Sequence, residues 1–388
     1  MTQSRRSFLR TLALGCSAAA SPLVTPVSFA SGPGDNRLVV IILRGAMDGL
    51  DVVRPLGDGA LKSLRPNMGN DSLALTDFWG AHPALDPLAP LWAAGELSFA
   101  HAVSTPYRNK RSHFDGQDFL ENGGFKPDGT LTDARDGWLN RLVAELPGAR
   151  ADTAFAVGRG NLLLLSGQAP ISAWSPEADL DLSPQAQLLL EKVYENDPLF
   201  HAAAMQAIQL SETTEGDMGA ARRQGRTKAL AEFAAGRLRE ETRIAAFSIG
   251  GWDTHARQAN TLPRALDELT DAILALKSGL GPIWAKTAVL CLTEFGRTVR
   301  ENGTGGTDHG TGGAAIFAGG ALKGSSVLGT WPGLGPGDLF EDRDLMPTRD
   351  VRAYAAHALQ ALMPVDRTRI ETKIFPGLDM GSDPGLIS

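Results

Sequence analysis

The sequence predicts an α/β protein with a mainly parallel central sheet, and two observations predict it. Apolar runs of buried-strand type end abruptly at polar or glycine-rich corners, and helical patterns alternate with them along the chain. The first run is "RLVVIILRG": six apolar residues, Leu38 to Leu43, stop at Arg44 and Gly45, as a strand buried on both faces gives way to a loop. Comparable strands are expected at 96–104, 243–251, 287–295 and 313–320. Between them lie helical patterns: "PALDPLAPLWAAG" after Pro83, "DARDGWLNRLVAEL" from Asp133, "ANTLPRALDELTDAILALKSGL" from Ala259, and "DVRAYAAHALQALM" near the end. Residues 183–241 differ from this alternation. They read as almost wholly helical, which suggests an insertion packed beside the sheet or a cap over its edge. Residues 31–388 are long enough for a large core and are expected to form a single domain.

The first thirty residues read as a leader rather than as part of the fold. Paired Arg5 and Arg6 in "SRRSFLR" precede an apolar run, and "SFA" at 28–30 offers the small residues that a signal peptidase reads. A twin-arginine export signal cut after Ala30 is therefore expected, with the translocation machinery of that route as a partner and a periplasmic or otherwise exported mature chain. The apolar run is too short, and too broken by Ser and Pro, to span a bilayer. Cleavage removes three arginines and no acid, so the formal charge of −7 becomes −10 over the remaining 358 residues. Such a surface does not attract polyanions, which excludes nucleic acid as the main partner. Cys16 leaves with the leader, so Cys291 has no partner for an intramolecular disulfide and the core alone must hold the fold.

Chemistry in an open α/β sheet belongs at the carboxyl ends of its strands. Asp48 follows the first strand in a glycine-flanked turn, and "RSHFDGQDF" follows the strand at 96–104. "GGWDTHARQ" brings Asp253 and His255 to the same rim, and Glu294 ends the strand at 287–295. Asp308 and His309 stand side by side in "GGTDHGTGG", where glycines are expected to free the backbone to fold around an ion. Carboxylates with two imidazoles suit a divalent ion such as Zn, Mn, Ca or Mg. Asp48, Asp253, His255, Glu294, Asp308 and His309 make six candidate ligands, enough for one ion or for two at about 4 Å. Ser112 opens a helix pattern, where unpaired N–H groups favour an anion, so it is a candidate nucleophile. Arg111, placed to steady an oxyanion, and His113 complete the catalytic candidates. Plainer roles compete: a turn for Asp48, a helix cap for Asp253, an ion pair with Arg297 for Glu294, an N-cap for Ser112. A Ser112–Asp253–His255 triad, or bound water attacking in place of Ser112, are the other chemical alternatives.

The stretches "LRGAMDGLDVVRPLGD", "PYRNKRSHFDGQDFLENG", "GGWDTHARQ", "TEFGRTVRENGTGGTDHGTGG" and "DLMPTRDVRAYAAHAL" together closely resemble a bacterial family of twin-arginine-exported proteins, domain of unknown function 1501. The likeness runs from about residue 37 to 375. It implies the alkaline phosphatase and sulfatase superfamily: a three-layer α/β/α fold, one or two metals at the rim, and a Ser, Thr or modified Cys nucleophile. By that resemblance Asp48 is the first-strand carboxylate, Ser112 the nucleophile, Asp253 and His255 ligands of one metal, and His309 the late histidine ligand. The pattern departs in places. One residue rather than three separates Asp253 from His255, and Glu294 with Phe295 stands where Asp-His is usual. The absence of Cys at 112 argues against a formylglycine sulfatase. The expected function is an exported, metal-dependent hydrolase of phosphate or sulfate esters, acting on a small anionic substrate. The alternative is a non-catalytic periplasmic binding or assembly module with at most a structural metal.

Overall fold

The computed structural model describes residues 34–108, 110–126, 130, 135–158, 162–175 and 226–388. The leader expected at 1–30 and residues 183–225 of the stretch expected to be a helical insertion lie outside the described residues. The first part of the chain forms β1 (Arg37–Leu43), α1 (Gly49–Val52), β2 (Val53–Pro55), α2 (Leu61–Leu64), β3 (Leu73–Ala74), β4 (Trp79–Ala81), α3 (Ala89–Ala93) and β5 (Leu97–Ser104). Next come α4 (His113–Asn122), α5 (Trp138–Glu145), β6 (Ala154–Val157), β7 (Ser172–Trp174), α6 (Arg226–Leu238) and β8 (Ile244–Ile249). The last part adds α7 (Gln258–Leu280), β9 (Thr287–Leu292), β10 (Gly313–Ala318), β11 (Val327–Leu328), β12 (Arg349–Asp350) and α8 (Val351–Leu362).

One sheet runs β11-β5-β10-β9-β1-β8-β6-β7, with β12 also on β5. Each of these pairings is parallel except those of β10, which runs antiparallel to both β5 and β9. The five long runs expected from the sequence are all strands of this sheet, at its centre. Residues alternate across it. Val39, Ile41 and Leu43 of β1 point into a core shared with α6 and α7, whereas Leu38, Val40 and Ile42 point into a second core shared with α5 and α8. Helices therefore cover both faces, which makes three layers and explains why β1 is apolar at every position between its ends. Helix α6, the described helix of the stretch expected to be an insertion, packs with Ala231, Ala234 and Leu238 in the first core, so it lies on a face of the sheet. No helix among the described residues is long and apolar enough to cross a membrane.

The reversed strand matters for function. Because β10 runs against its neighbours, its first residue lies at the rim where β9 and β1 end. Asp308 and His309 precede that strand, so they reach the same rim as the loops that follow β1, β8 and β9.

Candidate metal centre

The loops after β8 and before β10 meet face to face at this rim, and glycines permit the contact. A Cβ on Gly306 would lie 2.3 Å from the Thr254 carbonyl oxygen, and one on Gly310 would lie 2.4 Å from the Arg297 carbonyl. A Cβ on Gly296 would meet the Gly312 carbonyl at 1.9 Å. The "GGTDHGTGG" run thus serves backbone packing more than backbone freedom. Only Gly305 of its five glycines takes a left-handed φ, of 67°.

Three imidazoles turn Nε2 towards the Asp253 carboxylate. His255 Nε2 lies 3.1 Å and His309 Nε2 3.4 Å from Asp253 Oδ1, and His113 Nε2 lies 3.4 Å from Oδ2. The Nε2 atoms of His255 and His309 are 2.9 Å apart. Ligating atoms of His113, Asp253 and His309 all lie within 4.8 Å of one another. At the other nitrogen each ring has a separate partner. His309 Nδ1 lies 2.7 Å from the carbonyl oxygen of Arg111, His113 Nδ1 lies 2.8 Å from Glu294 Oε1, and His255 Nδ1 lies 3.2 Å from Asp308 Oδ1. A carbonyl can only accept, so His309 carries its proton on Nδ1 and presents a lone pair at Nε2.

The carboxylates lead to the same tautomer for the other two rings. Burial pushes Glu294 up, but donors from His113, Gln117 and the Gly45 N–H outweigh it and hold the group below the usual carboxylate range. The Asn302 amide, with His255, holds Asp308 down as well. Both are acceptors, so His113 and His255 donate from Nδ1. The hydrogen bond to Glu294 raises the His113 pKa, whereas burial lowers that of His309. His113 Nε2 is buried and makes no hydrogen bond, although Asp253 lies within ion-pair reach. Lone pairs aimed at one another repel unless a cation lies between them. An imidazole fixed through its far N–H to a carboxylate or carbonyl is the arrangement that orients metal-binding histidines.

Asp253 owes its position to Arg297. That guanidinium is fully buried and donates to Asp253 Oδ1 at 2.9 Å, to Thr307 Oγ1 at 3.1 Å and to the Thr307 carbonyl at 2.5 Å. Burial raises the Asp253 pKa, but the Arg297 contact more than offsets it, so the group stays ionised.

Among the residues singled out from the sequence, Asp253, His255 and His309 are brought together. Glu294 and Asp308 stand one step back, holding imidazoles rather than facing the centre. Asp48 is not brought to the cluster: Arg65 donates to both its oxygens, at 2.6 and 3.1 Å, and Gln258 donates to Oδ2 at 2.6 Å. It also accepts from the Leu50 N–H, which makes it the cap of α1 and leaves no free lone pair for an ion. Arg111 departs from the oxyanion role. Its guanidinium is taken by Asp344 at 3.0 Å and Glu341 at 2.9 Å, and its left-handed φ of 51° turns its carbonyl to His309. Ser112 caps α4, with Oγ 3.5 Å from the Asp115 N–H. The alternative ion pair of Glu294 with Arg297 is replaced by the one between Arg297 and Asp253. His113, grouped in sequence with the catalytic Ser112, belongs with the ligand set. Its signal was weak, because the partner that orients it, Glu294, lies 181 residues away. Cys291 is buried in β9, and burial pushes its thiol up, which removes it as a nucleophile.

The sequence profile of one family, described as "Protein of unknown function (DUF1501)", matches residues 80–374, most of the chain. This chain belongs to the DUF1501 family. No curated protein matches it in sequence. Among solved structures, it is similar to an alkaline phosphatase from the Antarctic bacterium TAB5, at 11% identity and a TM-score of 0.33, over 76% of this chain and 95% of that one. A protein of the alkaline phosphatase superfamily from Vibrio parahaemolyticus matches at 13% identity and a TM-score of 0.34, over 84% of this chain and 72% of that one. The phosphonoacetate hydrolase of Sinorhizobium meliloti matches at 15% identity and a TM-score of 0.28, over 68% and 57%. At this level of likeness none of them carries an argument about chemistry, which rests on the DUF1501 chain's own residues.

Proposed function

We propose that this DUF1501 protein is an exported, metal-dependent hydrolase of phosphate or sulfate esters, with one divalent ion held by His113, His255, His309 and Asp253. The observation that supports it most is the convergence of three Nε2 atoms on one ionised carboxylate, with every Nδ1 committed elsewhere. Three imidazoles and one carboxylate suit zinc or another borderline ion better than calcium or magnesium, which prefer oxygen. Four donors serve one ion, and the oxygens of Asp48 are taken by Arg65, Gln258 and the Leu50 N–H. A bound ion would supply Lewis-acid charge at an ester oxygen.

The chain's own groups divide the remaining work. Glu294, Asp308 and the Arg111 carbonyl hold the rings in their ligating tautomer. Ser112 precedes His113 directly, and its hydroxyl at the start of ten-residue α4 lies beside N–H groups that favour an anionic ester. Export by the twin-arginine route follows from the leader, which would let the protein fold around its ion before crossing the membrane. One observation favours the second reading, a non-catalytic binding or assembly module with at most a structural metal: Arg111 is committed to Asp344 and Ser112 to capping. Ester cleavage by the parent separates the two readings, and Ser112→Ala separates attack by the serine from attack by water. Elemental analysis of protein matured through its own export route, together with a screen of aryl phosphates and sulfates, is the experiment. Bound metal with hydrolysis that disappears in Ser112→Ala supports the hydrolase with Ser112 attacking. Hydrolysis that survives assigns the attack to water. Metal with no ester cleaved moves the reading to the module, and metal-free folded protein overturns the hydrolase and leaves the module without its ion.

A further inference from the structure

We propose that Gln258 is the positioning residue of this centre: its single carboxamide holds the two ligand-bearing loops in register. The inference rests on the metal reading above and adds what sets the donor geometry. Gln258 opens α7 and is 5% exposed. Its Nε2 donates to Asp48 Oδ2 at 2.6 Å and to Asp51 Oδ2 at 2.8 Å. Its Oε1 accepts from Thr254 Oγ1 at 2.8 Å and from Thr307 Oγ1 at 2.9 Å. Two donors and two acceptor sites are all used, and the amide has one possible orientation, because carboxylates only accept.

The two hydroxyls belong to the loops that matter. Thr254 lies between Asp253 and His255, and Thr307 lies two residues before His309. Thr307 also takes Arg297, and Arg297 takes Asp253, so a closed ring runs Gln258–Thr307–Arg297–Asp253–Thr254. Thr254 and Thr307 are 1% and 0% exposed, which leaves no water to substitute for a lost link. The ring is anchored on its far side by the Arg65–Asp48 pair, both side chains 1% exposed. Asp48, removed from the ligand set, thus acts on the centre through Gln258. A residue that only filled space there could be replaced by its shape. A positioning residue needs the donor edge on one side and the acceptor on the other.

The test uses the full mature chain and Co²⁺ alone as probe, read by its d–d absorption and by titration. Gln258→Glu keeps the shape but sets a third carboxylate against Asp48 and Asp51. Thr254→Val removes one hydroxyl and leaves both carboxylates paired. Gln258→Glu is expected to bind Co²⁺ about 10- to 100-fold more weakly, with a shifted spectrum, as losses of orienting partners do. Thr254→Val should lose about 5-fold, the value of one ordinary hydrogen bond. The double variant should lose no more than Gln258→Glu, since both break the same link. Unchanged affinity and spectrum in the folded variants would overturn the proposal, and if Gln258→Glu fails to fold, Thr254→Val decides alone. His309→Ala keeps the two ideas apart. Loss of Co²⁺ there with none in Gln258→Glu and Thr254→Val leaves the metal reading standing and sinks this one, whereas a parent protein that takes no Co²⁺ sinks both.

Discussion

Asp48 and Asp253 each follow a central strand by a few residues and each face a buried arginine, yet they end in opposite states. Four donors claim Asp48, from Arg65 twice, Gln258 and the Leu50 N–H, and it is 1% exposed. Arg297 claims one oxygen of Asp253, whose side chain is 46% exposed and has three imidazole nitrogens within 3.4 Å. The difference shows what makes a carboxylate available to an ion. Proximity to a strand end is common to both; unclaimed lone pairs belong to one.

The largest effect should come from breaking the closed partner. Asp48→Ala leaves Arg65 charged and unpaired in the interior, and a loss of about 3–5 kcal/mol is expected in urea unfolding. Asp253→Asn keeps an acceptor for Arg297 while removing its charge partner, so it should lose less stability than Asp48→Ala while its metal content falls. Equal behaviour of the two variants would erase the comparison.

A satisfied histidine sharpens it. His101 has both ring nitrogens engaged, Nε2 with the Gly49 and Val53 carbonyls and Nδ1 with its neighbour's N–H, and burial lowers its pKa to about 4. The unfolded chain takes up that proton near its ordinary value of 6.5, before the folded one does. Stability from this site is therefore complete above pH 6.5 and is lost as pH falls towards 4, by about 3 kcal/mol. Unfolding curves across that window should flatten in His101→Gln; an unchanged slope would show that another group sets it.

Smaller effects belong to the groups one step behind the centre. Glu294→Gln should weaken metal binding about 10- to 100-fold by loosening His113, measured by competition with a chromophoric chelator. Asp308 is half exposed, so Asp308→Asn should cost less than about 1 kcal/mol, under about fivefold in the same assay. A larger effect at Asp308 than at Glu294 would reverse the ranking that burial dictates.

Much of this molecule was legible along the chain. Strand β1 announced itself because both its faces are covered, which forces apolar residues at consecutive positions. The long helix was visible in its periodicity from Ala259, although nothing in that periodicity marks Gln258, which opens it. Three of the six residues expected to hold metal do not have the same standing in space as in sequence: Asp48 is sealed off, and Glu294 and Asp308 serve histidines. Spacing alone could not separate these roles, since each is decided by a partner tens to hundreds of residues away.

The glycine run before β10 shows the same division. Its composition marked the place where chemistry gathers, but the glycines are there because the Thr254–His255 and Arg297 backbones pass within contact distance. By itself the sequence determined the alternation of strands and helices, the apolar faces and the residue types at the rim, because these depend on local periodicity and burial. Which nitrogen of each histidine is left free, and which carboxylate keeps a lone pair, only the tertiary structure decided. Hydrogen bonds to those atoms come from loops that meet only after the sheet has formed, with β10 reversed.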